Sequence, residues 1–226
     1  MRGFRPILSG AVWRDRWLAG VGAAFGILST GVLAAIVART WPVPLLIAPI
    51  GASAVLVFAV PASPLAQPWP VIGGNMLSAL LALVVVAVVP QPIIAAPLAV
   101  GGAIVTMSLL RCLHPPGGAV ALSVVLLGGS GGHAGGWFWL DPVAIDSLLL
   151  VGAGMLFHRV SGHSYPHRAP VAAPPSAFVA EDIDAALAEM HDTFDIARED
   201  LDALFAAAAR AAAVRRGRSG RSSPRR

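Results

Sequence analysis

Charged residues make up 12% of the 226-residue chain, about half the share found in soluble domains. Between Trp17 and Phe157 the charged residues are Arg39, Arg111, Asp141 and Asp146. So long a stretch with so few charges excludes a soluble core and predicts an integral membrane protein. The net charge of +4 comes mostly from the two ends, which indicates topology rather than nucleic-acid binding.

The chain begins with a short basic segment, residues 1–16, which the positive-inside rule places in the cytoplasm. The first predicted span is Trp17–Val37. The second apolar stretch, Leu45–Val60, is interrupted early by Pro49. A helix from Pro49 to Val60 would be about 18 Å long, well short of the roughly 30 Å of a bilayer core.

Two further long spans follow, Val71–Val89 and Ile93–Leu113. Next come Pro115 and Pro116, which can open a helix but cannot lie inside one. They predict a second short helix that reaches Leu127. Asp141 and Pro142 then have the residue types of an N-cap and first helical position, and they begin a last span that ends near Phe157.

An internal repeat relates the two short helices. Ala48–Ala52 (APIGA) parallels His114–Gly118 (HPPGG), and each stretch follows a long span and precedes a loop and another span. Three segments per repeat would place the two halves in opposite orientations, as in many secondary transporters. Chance similarity among small apolar residues is the alternative. The predicted fold is therefore an all-α membrane domain over residues 17–168, built of six apolar segments in two inverted three-helix repeats.

The positive charge near both ends of this domain predicts a multi-pass protein of the bacterial inner membrane with both termini in the cytoplasm. Four full spans and six full spans give the same placement of the ends. The charge pattern therefore does not distinguish the two counts.

A different composition follows the membrane domain. Residues 169–180 form a proline-rich linker, and residues 181–214 carry apolar residues at alternating spacings of four and three, from Ile183 to Ala208. This heptad pattern predicts one cytoplasmic amphipathic helix that forms a homo-oligomer through residues 181–210, or else packs on the membrane domain or on a partner. The arginine-rich residues 215–226 are predicted to be a disordered tail lying against anionic lipid, with no nucleic-acid partner.

The two short helices also suggest a binding site. Paired, interrupted helices in corresponding places point to a site near the membrane midplane. The first-turn amides would attract a small anion there, because each helix N-terminus carries about half a positive charge. The candidate substrate-binding or pathway residues are Pro49, Gly51, Ser53, Asn75, Arg111, His114, Pro115, Pro116, Gly117 and Gly118.

Several of these residues have a plainer alternative. His114 either binds the anion, carries a coupling proton or gates the path, or it is a loop histidine bonded to backbone. Asp146, one turn inside the last span, either carries a proton, or faces the headgroups or caps the helix N-terminus. No histidine or cysteine spacing predicts a metal site or cofactor, the single Cys112 excludes an intrachain disulfide, and no nucleophile motif predicts an enzyme.

The HPPGG stretch at 114–118, together with APIGASAVLVFAVPASPLAQP at 48–68 and YPH at 165–167, resembles the HPP family of integral membrane proteins. The resemblance covers roughly residues 17–168. It implies four transmembrane helices, which fits if the two short segments are partial spans. One branch of that family is implicated in nitrite transport. The resemblance therefore implies a transporter or channel for a small monovalent anion such as nitrite. A non-transporting module that recruits a partner through its C-terminal helix is the alternative.

Overall fold

The computed structural model describes residues 13–37, 46–128, 140–168, 178–190 and 194–221, and all regular structure in these ranges is helical. The helices are α1 (Trp13–Val37), α2 (Pro49–Ala59), α3 (Asn75–Val88), α4 (Pro92–Leu109), α5 (Pro115–Gly128), α6 (Leu140–Ser161), α7 (Ala180–Met190) and α8 (Arg198–Arg221). A 3₁₀ turn (Pro64–Ala66) and a π-helical turn (Pro70–Gly74) lie between α2 and α3. The chain divides into a membrane unit, Met1–His167, and a C-terminal unit, Arg168–Arg226.

Four helical segments in the described ranges are long and apolar enough to cross a bilayer: Trp13–Ile36, Pro70–Val88, Pro92–Leu109 and Leu140–Ser161. The two shorter apolar helices are Pro49–Ala59 and Pro115–Leu127. At 1.5 Å per residue, α2 is about 16 Å long, roughly half of a bilayer core. The protein is therefore a helical membrane protein, and the predicted pair of short helices is confirmed.

The fourth predicted span is wrong at its end, because α4 stops at Leu109 rather than continuing to Leu113. Arg111 adopts φ = 54°, in the left-handed region, and the Cys112 N–H returns to the Met107 carbonyl at 2.8 Å. The Arg111 N–H also donates to the Ser108 carbonyl at 3.3 Å, and the two bonds form a Schellman-type helix ending, usually made by glycine. Holding arginine there costs about 1 kcal/mol of conformational energy. The ending turns the chain sharply into His114 and the start of α5.

The membrane helices pack in two groups of three. α1, α2 and α6 contact one another, and so do α3, α4 and α5; contacts between α3 and α6 and between α2 and α5 join the groups. Small residues form much of the contact surface, because alanine and glycine let helix backbones approach closely in lipid. On α4, for example, the buried residues Ala95, Ala99 and Ala103 recur every four positions.

α2 and α5 run in opposite directions. Ser53, one turn into α2, lies beside His114, which precedes α5. Pro49 at the start of α2 and residues 46–48 just before it instead line an apolar cavity with residues 120–127 from the middle and end of α5. The first turn of each short helix therefore lies alongside the other helix.

The C-terminal unit differs from the single heptad helix predicted over 181–214. Its described residues form two helices, and Phe194–Ala197 between them are not helical. Arg198 at the start of α8 forms an ion pair with Asp184 of α7 and donates to the Ala180 carbonyl at 3.0 Å. The heptad pattern thus spans two separate helices rather than one continuous helix.

α8 also continues further than predicted. The sequence predicts disorder from residue 215, but the helix extends to Arg221. The alanine-rich run at 206–213 explains this, since alanine has the highest helix propensity. The linker at 169–177 and the last five residues, 222–226, lie outside the described residues.

Candidate functional site

His114 lies in the loop that joins α4 to α5, and its side chain is completely buried. Its Nδ1 lies 2.8 Å from the carbonyl oxygen of Leu65, and its Nε2 lies 2.8 Å from Ser53 Oγ. Because a carbonyl can only accept, Nδ1 must carry the ring proton in the neutral imidazole, and Nε2 must accept from the Ser53 hydroxyl. The contacts therefore define one tautomer of His114.

Asn75, the first residue of α3, extends this network to α6. Its Nδ2 lies 3.4 Å from Ser53 Oγ and 3.1 Å from Ser147 Oγ. All three side chains are completely buried. Asn75 Oδ1 is also buried and has no partner among the described residues. Uncharged donors and acceptors from α2, α3, α6 and the loop before α5 thus form one polar network inside the membrane unit.

Two glycines let the backbone pack closely around His114. A Cβ on Gly74, in the π-helical turn, would lie 2.7 Å from the Cys112 carbonyl oxygen and 2.7 Å from His114 Cβ. A Cβ on Gly117 would lie 2.7 Å from Ser78 Oγ and 3.0 Å from the Gly74 carbonyl oxygen. π-Helical turns occur frequently at functional sites. Here the turn immediately precedes Asn75 and brings the start of the second long span against the HPP stretch.

The carbonyl that accepts from His114 belongs to a loop held from several sides. Gln67 Nε2 donates to the carbonyls of Pro61 and Ser63, at 2.9 and 2.8 Å. The Tyr165 hydroxyl donates to the neighbouring Ala66 carbonyl at 2.9 Å. Burial raises the pKa of Tyr165, so the phenol keeps the proton that this bond requires. The loop therefore connects the segment after α6 to the carbonyl that orients His114.

All three sequence stretches of the resemblance meet at this loop. His167 N donates to Gln67 Oε1 at 2.8 Å, which adds a second bond from the YPH stretch. Residues 61–67 come from the APIGASAVLVFAVPASPLAQP stretch, and His114 comes from HPPGG. Separate sequence features thus form one structural unit around the buried histidine.

Asp146, in α6, is 1% exposed and lies next to Ser147 in the chain. Its Oδ2 accepts from the Ile47 N–H at 2.9 Å. Ile47 lies two residues before Pro49, where α2 begins. The carboxylate therefore lies at the N-terminus of a short helix, which is its electrostatically favoured position.

The structure brings together only some of the predicted site residues. His114, Ser53 and Asn75 form the network, with Gly117 and the buried Pro116 beside it. Gly118 is half-buried, 3.8 Å from Val100 at a Cβ position, and Pro49 lines the apolar cavity. Arg111, Pro115 and Gly51 are exposed.

The expected free first-turn amides are also partly occupied. The N–H groups of Ile50 and Gly51 donate to the carbonyls of Ile47 and Ala48, and Gly117 N donates to the His114 carbonyl at 2.8 Å. The side chains of the network are bonded to one another as well, and Asn75 Oδ1 is its polar atom without a partner in the described ranges.

Sequence reasoning missed Ser147 and the Leu65 carbonyl, the partners that connect the network to α6 and to the loop. A lone serine in an apolar helix gives no sequence signal of its role. In the described ranges, no three His, Cys, Asp or Glu side chains lie close enough to hold a metal ion.

Comparison with known proteins gives the same picture for the membrane unit. The family model for the transmembrane region of HPP proteins matches residues 9–166. Two transmembrane proteins of Dictyostelium discoideum are similar. One is 37% identical over 126 residues, which is 54% of this chain and 44% of the relative. The other is 38% identical over 112 residues, which is 48% of this chain and 36% of the relative.

The chain spans less than half the length of either relative. No solved structure matches it. The family match covers most of the chain, including the helices and the HPP stretch that form the buried network. The chain belongs to the HPP family of transmembrane proteins.

Proposed function

We propose that this chain is a transporter or channel for a small monovalent anion, with nitrite as the first substrate to test. The observation that carries the proposal is the connected network of His114, Ser53, Asn75 and Ser147 in the interior of an apolar helix bundle. Buried polar groups are costly in a membrane and commonly mark a substrate path.

The chemistry of the network favours a small anion with one charge. Asn75 Nδ2 and the serine hydroxyls are N–H and O–H donors, and the N-terminus of α5 adds a partial positive charge nearby. No arginine side chain in the described ranges is buried. A divalent anion such as sulfate would have no cation there to compensate its two charges. Nitrite carries a single charge, and its burial requires far less compensation.

Inverted repeats are part of the same proposal, and the helix contacts support them. If α1, α2 and α3 correspond to α4, α5 and α6, each contact between helices must have a counterpart after the exchange. The α1–α2 contact corresponds to α4–α5, α1–α6 to α4–α3, and α2–α6 to α5–α3; all are present. The opposite directions of α2 and α5 also agree with inversion.

The proposal is tested with the purified full chain in liposomes, by measuring the initial rate of anion entry against empty liposomes. We expect nitrite, and to a lesser extent nitrate, to enter faster than in empty liposomes, with sulfate unchanged. If neither monovalent anion enters faster, the transport proposal fails.

We propose the bacterial inner membrane as the location, with both ends in the cytoplasm. The exposed arginines Arg14 and Arg16 lie in the first turn of the first long span, Arg159 lies in the last turn of the last span, and Arg168 follows it. This is the distribution that the positive-inside rule requires. We also propose that anionic lipid headgroups bind the arginine-rich residues 215–226.

A second candidate function is partner recruitment or self-association by the C-terminal unit. Its apolar side chains include Phe194, 49% exposed, and Leu204, 59% exposed. Leu204 lies on α8 and Phe194 just before it, and exposed apolar side chains of this kind commonly mark an interaction surface. We propose that this unit forms a homo-oligomer through residues 181–210.

Phe194→Glu should therefore weaken the oligomer, because a buried charge at the interface is unfavourable. Cross-linking of the full chain in detergent measures the effect, and we expect the oligomer bands to decrease. Ala207→Glu adds the same charge at another exposed position and should have a smaller effect. Unchanged cross-linking of the Phe194→Glu variant would contradict self-association at this site.

A further inference from the structure

Asp146 is a buried acidic residue of the membrane unit, and its carboxylate bonds to the backbone of Ile47 rather than to the side chains of the network. Among the described residues, no other Asp or Glu side chain of that unit is buried. A carboxylate inside a membrane bundle is expensive to keep charged, and such residues commonly serve as proton sites or substrate contacts.

The structure gives this carboxylate a defined position. Its Oδ2 accepts from the Ile47 N–H at 2.9 Å, just before α2 begins. The positive end of a helix dipole favours an anion at this place. The chain's own carboxylate thus already provides a negative charge at one of the two short helices.

The proposed anion path reaches the next residue of α6. The Oγ of that residue, Ser147, lies 3.1 Å from Asn75 Nδ2. An anion on this network and a charged Asp146 would be close neighbours in a medium of low dielectric constant. Like charges repel strongly under such conditions. A proton on Asp146 would remove that repulsion.

No other charge on the elements packed against α6 compensates for Asp146. Neither α2 nor the segment from the π-helical turn through α3 contains Asp, Glu, Lys, Arg or His. The charged residues of α1 are Arg14, Asp15 and Arg16, in its first turn. A Cβ on Gly22 would lie against Phe157, and a Cβ on Gly26 would lie against Leu150. α1 therefore runs antiparallel to α6, and the charges in its first turn lie near the C-terminal end of α6, far from Asp146.

The remaining titratable groups are also distant or occupied. On α6 itself, Asp141 is exposed in the first turn, and His158 and Arg159 lie in the last turn. Across the network, both ring nitrogens of His114 already have partners. Two buried oxygens without partners in the described ranges, Asn75 Oδ1 and Thr30 Oγ1, cannot neutralise a carboxylate either.

We propose that Asp146 binds a proton that travels with the anion, so that the protein is a proton–anion symporter. This inference rests on the proposed anion transport. The proton binds a carboxylate oxygen of Asp146, the anion binds the neighbouring network, and both leave on the other side of the membrane. The pair carries no net charge.

The test uses the full chain in liposomes with a pH-sensitive dye inside and nitrite outside, with rates from empty liposomes subtracted. For the unmodified chain, we expect nitrite entry to acidify the interior and to become faster as the outside pH is lowered. Asp146→Asn can still accept from Ile47 N but cannot take up a proton in this range. We expect Asp146→Asn to lower the nitrite accumulation that a proton gradient drives by at least tenfold. The remaining nitrite entry should be independent of pH.

Asp141→Asn is the matched control, because it makes the same change at an exposed position on the same helix. It should behave like the unmodified chain. Nitrite entry by the unmodified chain without proton entry would overturn the symport inference while leaving anion transport intact. Gradient-driven accumulation by a folded Asp146→Asn variant would overturn it too. Failure of the unmodified chain to move any anion would instead defeat the proposed function itself.

Discussion

Gly74→Ala should strongly destabilise the membrane unit. The added Cβ would lie 2.7 Å from both the Cys112 carbonyl oxygen and His114 Cβ. Neither atom belongs to a flexible side-chain end, so the π-helical turn or the HPP loop would have to move. We expect a loss of about 3 kcal/mol, at the upper end of what overpacking usually costs. Thermal unfolding of the purified chain in detergent measures the change.

Gly101→Ala is the matched control within the same bundle. Gly101 lies inside α4, and no atom lies within 4 Å of its Cβ position. Alanine is better than glycine in a helix interior by about 0.5–1 kcal/mol, so this variant should be unchanged or slightly more stable. Equal stability of the Gly74 and Gly101 variants would show that the close approach around His114 is absent.

His114→Ala should have the largest effect on transport. It removes the acceptor for the Ser53 hydroxyl and the donor for the Leu65 carbonyl. Removing one partner from a buried hydrogen bond commonly costs about 1–3 kcal/mol. If the anion uses these groups in its path, a rise of about 1.4 kcal/mol in its barrier lowers entry tenfold, so we expect entry per folded molecule to fall roughly tenfold or more.

His158→Ala provides a matched control for that substitution. His158 is also buried, and its ring nitrogens contact a backbone carbonyl, Val57 O at 3.0 Å, and a serine hydroxyl, Ser161 Oγ at 2.8 Å. Its loss should therefore lower stability about as much as the loss of His114. It is not part of the Ser53–Asn75–Ser147 network, so entry per folded molecule should remain. Equal loss of entry in both variants would contradict a specific role for His114.

The short helices could be predicted because their signals are local. Proline fixes φ and lacks an N–H, so Pro49 and Pro115 indicate helix starts without any knowledge of the tertiary structure. The structure begins α2 and α5 at these two residues. The long spans were equally accessible, since their apolar length alone predicts them.

The remaining features depend on contacts between distant parts of the chain. Asn75 could be suspected as a polar residue in a span, but its pairing with Ser147 joins positions 72 residues apart. The composition of residues 70–74 does not predict a π-helical turn. The turn depends on the close packing of Gly74 against the distant loop at 112–114. Periodicity also hides the break between α7 and α8, since heptad spacing continues through Phe194.

We propose that the anion passes along the buried network. The rate of nitrite entry through the Ser53→Ala variant tests this most directly. The substitution removes only the hydroxyl that bonds His114 Nε2 and accepts from Asn75. Ser123→Ala is the control, because the Ser123 hydroxyl donates to Ala119 in its own helix and lies outside the network. We expect entry per folded molecule to fall roughly tenfold for Ser53→Ala and to remain unchanged for Ser123→Ala. Equal, undiminished nitrite entry through both variants would contradict the claim.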